Sequence, residues 1–158
     1  EVLLARAEAF ALTGRYQDAL NDLNIWTALR ADATEYVYGK HVLYKDLLLS
    51  HYSADLANED HFINSRYNAS KFTATGDELR FQKALILAIL DARKLEFLRE
   101  GIRHFDILRW FIPVYHATAD GQRSELTPED DRRVIQLPQV VSLSGVEQNP
   151  WSNVGAWY

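Results

Sequence analysis

The chain has 158 residues, 47% hydrophobic and 25% charged, values that allow one substantial core and exclude a disordered chain. A net charge of −5 excludes the basic surface that a nucleic-acid partner requires. The absence of cysteine removes disulfides, zinc thiolates and thiol nucleophiles together, and the longest apolar run, residues 84–90, falls well short of the roughly 20 residues that span a bilayer.

Residues 2–31 read as a helix pair. Val2, Leu3, Leu4, Ala7, Phe10 and Leu12 follow a helical period, Gly14 stops it, and a second run begins near Tyr16. Phe10, Gly14, Tyr16, Ala19, Leu23 and Trp26 fall at tetratricopeptide-like spacings, with Ala19 small where two helices must touch. Only Glu1 precedes the helical pattern and the chain contains no methionine, so the expectation is a piece of a longer protein whose N-terminal part lies upstream. A single repeat cannot bury its own apolar face, so it is expected to stack on helices elsewhere in the chain or on that missing part.

Residues 32–76 form an expected variable insert, in which residues 41–56 have helical spacing and the flanks are loop-like. The flanks carry aromatics. Tyr36, Tyr38 and Tyr67 are the candidate ligand contacts, because exposed rings stack on sugars or peptide side chains; the competing role is to pin the loops to the helices.

A long helix is expected over about residues 78–100, with Thr75 or Asp77 as N-cap and an interior stretch at 84–90 that is apolar all round. Beyond it, Leu95, Phe97, Leu98, Ile102, Phe105, Ile107 and Leu108 continue one apolar face, with a break or bend near Gly101. Between them Arg93, Glu96, Arg99, Glu100, Arg103, Asp106 and Arg109 alternate in sign at spacings that predict a continuous ion-pair ladder. Glu96 and Glu100, one turn apart, could be read as the carboxylate pair of a glycosidase. Flanking arginines would hold both ionised, which suits a structural network in which loss of Glu100 destabilises the fold.

Pro113 ends this region. Residues 116–129 read as a solvated loop, 134–137 as a short β-prone piece stopped by Pro138, and residues 148–151 as a tail that docks on the core through Trp151. The five histidines show no metal-ligand spacing and no serine sits in a nucleophile elbow, so neither a metal, a cofactor nor a catalytic residue is expected.

The run Arg93, Glu96, Glu100-Gly101, Arg103, Phe105-Asp106, Arg109-Trp110 resembles the signature helix of the SusD/RagB family of outer-membrane nutrient-binding lipoproteins. The helix pair at 1–30 and the closing Gln148-Asn149-Pro150-Trp151 resemble the same family. The segment 32–76 is longer than is typical there, and a Leu-Pro stands in place of the commoner Ile-Pro. The resemblance implies a mainly α fold: tetratricopeptide-like helix pairs with irregular loops, in the C-terminal region of a SusD-like domain. That region divides into a helix pair at 1–31, the insert at 32–76, signature helices at 77–112, and a loop with docked tail at 113–158. It further implies a lipid-anchored cell-surface protein, not an enzyme, that binds glycan or peptide nutrients without a cofactor. Its partner would be a SusC-like, TonB-dependent barrel transporter. The alternative is a tetratricopeptide-type protein–protein interaction module.

Overall fold

A computed structural model describes residues 1–30, 42–117, 119, 121, 123–133 and 143–145. The fold is mainly helical and is organised around one buried helix. Helices α1 (Val2–Leu12) and α2 (Tyr16–Arg30) form an antiparallel hairpin whose turn needs Gly14 at φ +80°. Ala7, Ala11 and Ala19 are fully buried, so the hairpin closes on side chains small enough to let the backbones approach. Helices α3 (Lys45–His51) and α4 (Ser53–Ala57) follow, then a 3₁₀ turn at Phe62–Asn64 and the short α5 (Arg66–Ala69).

The central helix α6 (Gly76–Glu96) contacts α1, α2, α3 and α4, and every residue from Ala84 to Leu90 is buried. Apolar on all sides, that stretch can only be interior, and the other helices wrap it. Asp77 and Glu78 in its first turn and Arg93 and Lys94 in its last complement the helix dipole. Helix α7 (Arg103–Arg109) returns beside its end. Two antiparallel strands follow, β1 (Val114–Ala117) and β2 (Arg123–Leu126), with Tyr115 opposite Glu125.

Four sequence expectations are corrected. The long helix ends at Glu96, not near residue 100. The break is a whole turn over residues 97–102, with Arg99 at φ +71° and Gly101 at φ +74°, because Phe97 is buried and the chain must reverse to bring α7 against α6. The expected single helix over 41–56 is two helices that meet at Tyr52. The Tyr52 ring is buried and its hydroxyl bonds Asp91 Oδ2 at 2.9 Å, which fixes the chain direction there. The flank after it is not a plain loop: Asn64 and Asn68 donate to backbone carbonyls and hold two short helical turns. Residues 116–129 contain most of the strand pair, whose register is set by four residues on each side. Tyr36, Tyr38, the 134–137 piece and the 148–151 tail lie outside the described residues.

Candidate functional site

The signature residues separate into two ion-pair groups, not one ladder. In the first, Asp106 of α7 is completely buried and accepts from Arg93 Nε at 2.9 and 3.0 Å and from Arg109 Nη2 at 2.8 Å. Arg109 also forms a two-pronged pair with Glu8 of α1, one prong at 2.6 Å, and Trp110 Nε1 donates to the same carboxylate at 3.0 Å. Burial works against the charge on Arg109, but its bonds to Glu8 and Asp106 outweigh that and raise its pKa. One chain of charges thus ties α1, α6 and α7 together, and no buried polar side-chain atom among the described residues lacks a partner.

Behind this network Asn68 is fully buried. It donates to the Phe62 and Trp110 carbonyls at 2.8 and 2.7 Å and accepts from Lys71, whose ammonium lies over the Trp110 ring. Burial, then the Arg109 charge, lowers the pKa of Lys71.

In the second group Glu96 accepts from Trp26 Nε1 at 3.0 Å and from Arg30 Nε at 2.8 Å, both on α2. The hydrogen bond from Arg30, followed by that from Trp26, holds the Glu96 carboxyl below its usual pKa. A general acid requires the opposite shift, so Glu96 is unsuited to glycoside protonation. Arg99 and Glu100 are exposed, and neither makes an ion pair or side-chain hydrogen bond among the described residues. The expected pairing of Glu100 with Arg99 or Arg103 does not form, because the 97–102 turn carries Glu100 away from the helix surface.

Of the three tyrosine candidates, Tyr67 is described. Its ring stacks on Phe111 with centroids 5.1 Å apart, and its hydroxyl accepts from Arg66 and donates to Glu129. Phe111 has φ +50°, an uncommon conformation for a bulky residue, and it holds the ring against Tyr67. The arrangement joins α5 to the segment after β2, the loop-pinning role weighed above.

The sequence model of the SusD family matches residues 1–136. The chain belongs to the SusD family. No curated protein and no solved structure matches it. SusD-family proteins are binding proteins with a general nutrient-binding role, are associated with the outer membrane at the cell surface, and work with SusC-like transporters.

Within this SusD-family chain the sequence reading missed Glu8, Trp26, Asn68 and Lys71 as members of the network. Glu8 had a signal: it sits between Leu4, Ala7 and Ala11 on the buried face of α1, where a carboxylate demands a cation. Asn68 and Lys71 had none, since their partners are each other, backbone carbonyls and ring faces. Among the described residues no group of histidines and carboxylates could hold a metal, and no helix is long and apolar enough to cross a membrane.

Proposed function

We propose that this chain is the C-terminal part of a cell-surface lipoprotein that captures glycan, or peptide, nutrients and passes them to a SusC-like, TonB-dependent barrel transporter. The single observation that carries the reading is the family match over residues 1–136. The charge network supports it: Glu96 is held by Arg30 and Trp26, and Asp106 and Glu8 join three helices, so these carboxylates serve the scaffold. Capture then needs no cofactor and no catalytic residue, only a surface whose aromatic rings and polar groups match the ligand. Tyr36 and Tyr38 stay the candidate contacts, Tyr67 being engaged with Phe111 and Glu129, and membrane attachment runs through a lipidated N-terminal segment of the parent protein.

Isothermal titration of the full-length parent against a panel of oligosaccharides and peptides tests this, alongside product analysis of the same mixtures. Heat of binding with unchanged ligand is expected. Hydrolysis of any oligosaccharide, or no binding across the panel, would overturn it. The α1–α2 hairpin also fits a tetratricopeptide-type interaction module. That reading predicts further helix pairs upstream of Glu1, whereas the first predicts a lipid-modified cysteine there.

A further inference from the structure

A groove of about 720 Å³ lies between the 97–102 turn and the first strand. Its wall is aliphatic: Leu98, Ile107, Ile112, Pro113 and Val114 line it, and Leu98 is 72% exposed. Its charges are all positive. Lys94, Arg99 and Arg103 line it and no carboxylate does, on a chain whose net charge is −5.

These cations are poorly neutralised. Lys94 and Arg99 make no ion pair among the described residues. Arg103 is half-buried, yet its nearest carboxylate oxygen, Asp106 Oδ2, is 3.9 Å away and already accepts from Arg93, while Oδ1 serves Arg93 and Arg109. Its hydrogen bond goes to the Leu90 carbonyl at 3.2 Å. Asp91 acts on Arg103 only through space, being bonded to Tyr52. A half-buried guanidinium in this position gains from an anion brought up to it.

We propose that this groove docks an extended acidic peptide segment of a partner protein, with its apolar side chains on the aliphatic wall and its carboxylates at Lys94, Arg99 and Arg103. A glycan fits less well. Its hydroxyls need amide, hydroxyl or carboxylate partners, and the only uncharged polar side chain in the lining is Tyr115, which lies opposite Glu125 in the strand pair. The proposal is independent of which nutrient the protein captures.

The test is fluorescence anisotropy on the full chain with a short end-capped peptide that alternates glutamate with leucine or valine. A lysine-for-glutamate analogue and a Lys94→Glu/Arg99→Glu double variant are the controls. Both substituted positions are exposed, so the variant should fold as the parent does, with only a small loss from the reversed charge at the end of α6. The acidic peptide should bind, more weakly as salt rises, and either charge reversal should weaken it roughly tenfold or more. Failure of the acidic peptide to bind, equal binding of the lysine analogue, or an unaffected double variant would overturn the proposal. So would binding that requires a free peptide carboxyl terminus, which would mark a nutrient peptide, or displacement by a uronic-acid oligosaccharide, which would mark a glycan site.

Discussion

Asp106→Asn removes the one carboxylate on which two guanidinium groups converge at the centre of the signature network. The substitution keeps the side chain's size but turns one acceptor oxygen into an amide donor that faces the donors of Arg93 and Arg109. The Arg93 side chain is only 7% exposed and loses its sole carboxylate partner, so its charge is left buried and uncompensated. Arg109 is 41% exposed and keeps Glu8, so its share is screened and small. Breaking one buried pair in this way costs about 3–5 kcal/mol. Against a total stability of ~5–15 kcal/mol for a domain, that is a lowering of the melting temperature by roughly 10 °C. Urea and thermal denaturation of the parent and variant measure it. Replacing both partners with apolar residues, Arg93→Met with Asp106→Leu, should recover much of the loss, because the buried Arg93 charge is then removed with its partner. A loss under ~1 kcal/mol for Asp106→Asn would refute the reasoning, since it would mean that solvent reaches Arg93.

Glu100→Ala should change stability by no more than about 0.5 kcal/mol by urea denaturation, because the side chain is exposed and bonded to nothing among the described residues. His61 should make stability fall in mild acid. Burial lowers its pKa in spite of Asp55 at 3.6 Å, so between that lowered value and the unfolded value of about 6.5 the unfolded chain binds the extra proton. The contribution is therefore complete above pH ~6.5 and is lost as the pH falls through the native pKa of His61. His61→Asn keeps an acceptor for the Ile63 N–H and should flatten the melting-temperature profile across that window.

The helical class, the buried centre at 84–90 and the α1–α2 hairpin were legible because each rests on local periodicity or a turn glycine. What was not legible depends on the chain turning. Spacing alone placed Arg93 through Arg109 on a single helical surface, but Arg99 and Gly101 both take left-handed backbone, and the reversal sends Asp106 inward beneath Arg93. The break at Tyr52 has the same origin, a long-range bond to Asp91 that no local pattern encodes. The strand pair was hidden by its polarity: Tyr115, His116 and Ala117 are all exposed, so no hydrophobic alternation marks β1. For the ligand contacts the sequence offered only residue type, and a tyrosine in a polar segment has the same appearance whether it stacks on a sugar or, like Tyr67, on Phe111.

The turn at 97–102 also explains why residues of one short motif end in opposite environments. Arg93 and Asp106 are thirteen positions apart, too far to meet on one helix, and they meet because the chain doubles back between them. Once they do, Asp106 is saturated by Arg93 and Arg109, and Arg103 on the same short helix is left with a distant share of it. The same reversal lifts Arg99 out of the helix and sets it, with Lys94, along the groove beside Arg103. Three arginines around Asp106 against the carboxylates of Asp106 and Glu8 leave one positive charge in excess. That excess falls on the groove side, since Glu8 lies on the face toward α1. The internal bonding of the motif and the positive character of its outer surface are therefore two results of one turn, and a substitution that straightened it would disturb both.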